Sequence, residues 1–293
     1  MEIKLEEEAP KGPKPGAAAA RNSLYQPAVA LEFFKAYGKA ESVGAGKAIF
    51  LENEGAANVF SAGSKMYLLL EGEVALSVTK KAIGTVAMGE IFGEMASISH
   101  LPRSATAVAK TACKVIALDE SQFLSAMEKS PEFALMLMSI IIARLRDTVS
   151  NLTSGGKLSE QDKWNRAAVF DRKLMTDLER QFEDKPASLH AQNKVIVKEG
   201  DKGVFMYVVM DGVVAISISE KVVEKIGPGG VFGEIALVDQ SARVATAVAE
   251  TDCTMLSINR NDFMSLVKTK PAFALSLLKA LSERLRFMTS KYK

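Results

Sequence analysis

Histidine, cysteine and tryptophan are scarce: two, two and one among 293 residues. Two isolated histidines, His100 and His190, supply no metal-ligand cluster, which argues against a metal-dependent enzyme. Cys113 and Cys253 cannot build a disulfide framework. Each sits in an apolar strand pattern, where packing is a better use of a thiol than redox chemistry. No charge of one sign dominates. Lys plus Arg number 37 against 35 Asp plus Glu, a net +2, too balanced for nucleic acid or an anionic membrane to be drawn by bulk electrostatics. Long apolar runs are absent too. The stretch Phe133–Ile142 falls well short of the ~20 residues that span a bilayer. The acidic start MEIKLEEEAP has no signal-peptide core. Walker loops, nucleophile elbows and zinc-protease motifs are missing. These absences lead us to expect a cytoplasmic protein that is not an enzyme, with no cofactor, no metal and no membrane partner.

What is present is a duplication. Gly72, Gly89, Phe92, Gly93, Glu94, Arg103, Cys113, Phe123, Phe133 and Arg144 recur as Gly212, Gly229, Phe232, Gly233, Glu234, Arg243, Cys253, Phe263, Phe273 and Arg284, a constant offset of 140 residues. A fixed period over this length means two copies of one unit. Upstream the copies diverge, and Glu54–Tyr67 is five residues longer than its counterpart Glu199–Tyr207. Within each copy, short β-branched runs punctuated by glycine predict a sandwich or barrel. Pro27–Gly38 predicts a helix, and each copy closes on a helix that follows Pro131 or Pro271. Ser159–Phe182 predicts a further amphipathic helix, with Trp164, Ala168, Phe170, Leu174, Leu178 and Phe182 on one face. The expected division is a disordered tail over 1–22, a first domain over 23–152, a linker and the start of a connecting helix over 153–167, and a second domain over 168–293. The Met-rich helix from Phe133 is apolar on nearly every side. Core packing and a homodimer seam are its two alternative uses.

The stretch FGEMASISHLPRSATAVA, Phe92–Ala109, reappears as FGEIALVDQSARVATAVA, Phe232–Ala249. Gly93 lacks a Cβ, so a ligand can approach the backbone closely. A short helix opening at Glu94 would present free backbone N–H groups to an anion. Arg103 adds a planar, bidentate donor suited to phosphate. Glu94 would repel a phosphate, but an ionised carboxylate accepts hydrogen bonds from hydroxyls. A sugar phosphate meets both demands. A plain structural ion pair is the alternative.

The pattern Phe-Gly-Glu-x-Ala followed by Arg-x-Ala-Thr resembles the phosphate-binding cassette of the cyclic nucleotide-binding domain family. The likeness covers both copies, roughly 27–152 and 168–293. It implies a mainly β fold with flanking helices: two tandem β-jelly-roll (double-stranded β-helix) domains. It also implies that Glu94 and Glu234 bind the ribose 2′-hydroxyl and that Arg103 and Arg243 bind the cyclic phosphate. Gly93 and Gly233 open the cassettes, while Met95 and Ile235 offer backbone N–H groups. Ser104 matches a serine that in some members also contacts the phosphate, and Val244 lacks that hydroxyl. Thr148 falls where a family helix meets the adenine; the second copy has Met288 there. A threonine after the cassette arginine tends to accompany cGMP in the family. With Ser104 and Val244 at that place, cAMP is favoured and cGMP is second.

The expected function is therefore a non-catalytic cyclic-nucleotide receptor whose ligand-driven change regulates an unidentified effector protein. The alternatives are a DNA-binding regulator of the same family or a ligand-free interaction scaffold. The first is disfavoured because about 20 residues after Pro271 leave no space for a helix-turn-helix. A lone Arg21 before Ser23 is a weak match to the paired-arginine inhibitor segment of kinase-regulating members.

Overall fold

In each copy, short strands pair into two mainly antiparallel sheets, and their buried side chains form the core. The structure, a computed structural model, describes residues 25–55, 64–130, 132–156, 164–165, 168–185 and 187–291. The expected tail over 1–22 and the segment around Arg21 lie outside these residues, as do Pro131 and most of the insertion after Glu54.

The first copy runs α1 (Pro27–Tyr37), β1 (Lys39–Val43), β2 (Ala48–Phe50), β3 (Met66–Glu71), β4 (Val74–Val78), β5 (Lys81–Val86), β6 (Ile91–Phe92), α2 (Glu94–Ser99), β7 (Thr106–Ala109), β8 (Cys113–Leu118), α3 (Glu120–Lys129) and α4 (Glu132–Ser154). Its sheets have the orders β1-β8-β3-β6 and β2-β7-β4-β5. The second copy runs β9 (Trp164–Asn165), α5 (Arg172–Gln181), β10 (Ser188–His190), β11 (Val195–Val197), β12 (Phe205–Asp211), β13 (Val214–Ile218), β14 (Lys221–Ile226), β15 (Val231–Phe232), α6 (Glu234–Asp239), β16 (Thr246–Ala249), β17 (Cys253–Asn259), α7 (Arg260–Thr269) and α8 (Pro271–Ser290). Its sheets have the orders β10-β17-β12-β15 and β11-β16-β13-β14-β9. This is the expected pair of tandem β-jelly-rolls with flanking helices.

Two details depart from expectation. Of the helix expected over 159–182, α5 covers Arg172–Gln181, Trp164–Asn165 is a strand, and 159–163 and 166–167 lie outside the described residues. The Asp171 carboxylate accepts from the Leu174 amide and caps that helix at its start. Upstream, the Val169 and Phe170 amides both donate to the Gly229 carbonyl, and Trp164–Asn165 pairs in parallel with β14. Phe170, Leu174, Leu178 and Phe182 are buried as the pattern requires, but Ala168 is exposed. Second, the counterpart of Glu199 is Glu52, two residues upstream of Glu54. The amides of Glu52 and Glu199 donate to Thr106 and Thr246, and their carboxylates accept from the Thr79 and Ser219 amides. The insertion is longer than the sequence match suggests by those two residues. The Met-rich face of α4 is covered within the chain, the core-packing use of the two expected. Leu135 to Ile142 are all buried, and α4 packs along α8.

Both cysteines are buried free thiols. No helix among the described residues is long and apolar enough to cross a membrane. In the second copy Phe273 is fully buried, with ring centroids 5.2 Å from Phe170 and 6.0 Å from Phe263. Phe273→Ala should lower stability by about 3–5 kcal/mol through the cavity it leaves. In urea unfolding this is a lower midpoint at unchanged slope; an unchanged midpoint would show that the site relaxes without cost.

Candidate functional site

The strand β6 ends at Phe92, and the chain must turn sharply to start α2. Gly93 makes the turn with φ of 74°, a conformation that disfavours residues with a Cβ. A Cβ there would lie 3.0 Å from the Phe50 ring and 3.1 Å from Arg103 Nη1. Gly233 repeats the conformation at 82°. Glu94 and Glu234 follow as first residues of α2 and α6, each at most 2 % exposed, where the positive end of a helix favours a carboxylate.

Arg103 and Arg243 come back across the same turn. Arg103 donates from Nη1 to the Gly93 carbonyl and from Nη2 to the Lys65 carbonyl, both at 2.8 Å. Its Cζ lies 4.2 Å from the Phe50 ring centroid. Arg243 donates to the Gly233 carbonyl at 2.8 Å and the Phe205 carbonyl at 2.7 Å. Neither reaches its cassette glutamate. Burial pushes both guanidinium pKa values below the ordinary arginine range.

The glutamates are instead held by arginines of the long terminal helices. Arg144 Nη1 of α4 lies 2.5 Å from Glu94 Oε1, and Nη2 donates to the Ile91 carbonyl at 2.6 Å. Arg284 of α8 binds Glu234 and also Glu224 of β14, at 3.0 Å from Nε to Oε2. Burial alone would depress the Arg144 pKa, but the adjacent Glu94 carboxylate raises it above the usual value. Burial is likewise outweighed at Arg284 by Glu224 and then Glu234. The repeat alignment showed Arg144 and Arg284 without a role. Their role depends on a helix fifty residues downstream lying over the cassette, which no local pattern announces.

Two cavities open beside these clusters. The first, about 370 Å³, is lined by Gly93, Glu94, Met95, Arg103, Ser104 and Thr148, so every site residue expected in the first copy is brought together. The Ser104 hydroxyl lies 3.6 Å from Met95 Sδ. Leu285 and Thr289 of α8 also line it, so the second copy completes the first pocket, a contribution invisible in a single-copy motif. The second cavity, about 70 Å³, is lined by Gly233, Glu234, Ile235, Arg243 and Val244, with Leu145 and Val149 reaching over from α4. Glu234 Oε2 is buried and has no hydrogen-bond partner among the described residues. His100 and Gln240 end α2 and α6 in left-handed conformation. His100 is exposed and lies 2.8 Å from Glu120, away from either pocket lining. His190 belongs to β10 rather than to a linker. No group of metal-binding side chains exists among the described residues.

The family model described as "Cyclic nucleotide-binding domain" matches residues 42–130 and 190–270, together more than half of the chain. Solved structures that the chain matches include the regulatory domain of Toxoplasma gondii PKA with cAMP, 20 % identical over 84 % of this chain and 87 % of that one, TM-score 0.31. The regulatory subunit of a cAMP-independent protein kinase A from Trypanosoma brucei is 19 % identical over 91 % of this chain and 87 % of that one, TM-score 0.32. The corresponding Trypanosoma cruzi subunit bound to guanosine is 15 % identical over 89 % of each chain, TM-score 0.30. The family assignment rests on the two matched segments.

Arg284 is the only cation in hydrogen-bond contact with two buried carboxylates among the described ion pairs. Arg284→Met should therefore destabilise the chain by about 3–5 kcal/mol, the cost of stranding buried charge, as read from the urea midpoint. A change near zero would mean that water reaches Glu224 and Glu234.

Proposed function

Because this chain belongs to the cyclic nucleotide-binding domain family, we propose that it is a non-catalytic cyclic-nucleotide receptor, with cAMP favoured over cGMP, that regulates a partner protein. The observation that carries this reading is the first cavity, about 370 Å³ with Glu94 and Arg103 both in its lining. Small-molecule pockets commonly fall between about 300 and 1,000 Å³.

The chemistry follows from the donors and acceptors. Arg103 uses two N–H groups on backbone carbonyls, and a guanidinium has five. The remaining donors would take the cyclic phosphate, held rigid by the carbonyls and the Phe50 ring. The amide of Met95, at the open start of α2, adds a backbone donor. Glu94 would accept a ribose hydroxyl in competition with Arg144. Ser104 would add one bond to phosphate, and Thr148 and Thr289 lie at the helix-lined end, where a base would rest. A ligand that takes Glu94 from Arg144 changes what holds α4 in place. It shifts the helix only by as much as it binds one arrangement better than the other. That differential is the signal available to a partner.

Calorimetric titration of nucleotide-free protein tests the reading. cAMP should bind more tightly than cGMP, and Arg103→Ala should weaken cAMP by about 100-fold or more, given roughly 1.5–3 kcal/mol for each hydrogen bond to a charged group. Ser104→Ala should cost about 1 kcal/mol, near fivefold. Absence of heat with either nucleotide would move the protein to the class of ligand-free scaffolds.

A further inference from the structure

Among the positions at which the two pockets differ, one places a carboxylate on the strand that faces the terminal helix. Gly84 on β5 pairs with Leu76, and Glu224 on β14 pairs with Ile216, the same place in the two sheets. Gly84 lines the first pocket, and a Cβ built on it would meet nothing within 4 Å. Glu224 lines the second, is 3 % exposed and grips Arg284 through Nε at 3.0 Å and Nη2 at 3.4 Å. Where the first pocket has open space between strand and helix, the second has a carboxylate and the guanidinium it holds. The space beside Glu224 and Arg284 is about 70 Å³ against about 370 Å³ in the first copy, and a separate cavity of about 250 Å³ adjoins it at Val149, Ile218 and Val244.

We propose that Glu224 is a built-in plug that closes the second pocket to cyclic nucleotide, so that the chain binds one nucleotide, in the first pocket. Glu224 ties Arg284 to β14 as well as to the cassette, so α8 is fastened across the pocket mouth. Arg144 has no such carboxylate on β5, because residue 84 is glycine; its second acidic neighbour is Glu90, buried in the first pocket's lining, which acts on it through charge. The remaining lining agrees: Val244 stands for Ser104, Met288 for Thr148, and Val149 of α4 reaches in where Thr289 of α8 reaches into the first pocket. Arg243 keeps the same spare donors as Arg103 and Glu234 Oε2 has no partner among the described residues, so the block is one of space and of a fastened helix rather than of missing polar groups. The second copy thus serves as the wall that completes the first pocket.

This inference rests on the nucleotide reading of the first pocket, and a reciprocal swap separates the two. Wild type, Arg103→Ala, Arg103→Ala/Glu224→Gly and Gly84→Glu are titrated with cAMP and cGMP by calorimetry, with circular dichroism reporting the fold. The expected result is one site in wild type, none in Arg103→Ala, one regained in Arg103→Ala/Glu224→Gly, and at least 100-fold weaker binding in Gly84→Glu. If the Glu224→Gly protein does not fold, Gly84→Glu decides, because position 84 has room for a side chain; undiminished binding there overturns the plug. Two equivalent wild-type sites overturn the plug and leave the receptor reading intact. So does a folded Glu224→Gly double variant that stays silent while wild type binds. A silent wild type with binding restored by Glu224→Gly supports the plug and overturns the assignment of the first pocket. Silence in every protein overturns both.

Discussion

A carboxylate buried at the start of a short helix, answered by an arginine from a long one, is the constraint on which the rest of this molecule depends. Glu94 and Glu234 are almost inaccessible to water, and an ionised group in that position is untenable without a cation and hydrogen bonds. Arg144 and Arg284 provide both. The pairs fix where α4 and α8 cross the jelly-rolls, and so which residues of those helices face the pockets. They also place a competitor beside the group that would receive a ligand hydroxyl. In the proposed reading, packing and recognition draw on the same carboxylate.

The copies are joined by a second, crossed set of arginines. Arg146 of α4 binds Asp239 at 2.5 Å and the Ala242 carbonyl at 2.9 Å. Arg286 of α8 donates to the Pro102 carbonyl. Ala242 and Pro102 each precede a cassette arginine. The contact has the self-complementary character of a two-fold interface, made within one chain by duplication. Each terminal helix thus touches its own cassette through one arginine and its neighbour's through another, two residues on. A displacement at one pocket has a direct mechanical route to the other copy, through side chains that are hydrogen-bonded rather than merely near.

Much of this was legible in the sequence, and the limits have physical causes. The fixed offset revealed the duplication, glycine and proline marked the turns, and the Gly93-Glu94 and Arg103 pattern located the pocket, because local geometry demands those residue types. The helix start at Arg172 was misplaced because an apolar period continues upstream through Phe170 and Trp164, while the chain there pairs with β14 instead. Arg144, Thr289 and Glu224 carried no readable role. Arg144 and Glu224 act through contacts fifty or more residues away, Thr289 lines a pocket of the other copy, and the 140-residue offset aligns Gly84 with Glu224 without showing that both face a pocket. The motif already separated the pockets at Ser104 and Val244, and the alignment at Thr148 and Met288; the difference between Gly84 and Glu224 lies outside the motif.

The central claim is that one ligand pocket is built from both copies, with α8 of the second forming part of the first. Hydrogen exchange read by mass spectrometry, with and without cAMP, tests it directly. The account predicts slowed exchange in the first cassette, residues 93–105, together with the end of α8 around Leu285 and Thr289. Protection confined to the first copy, or none in the cassette, would contradict it.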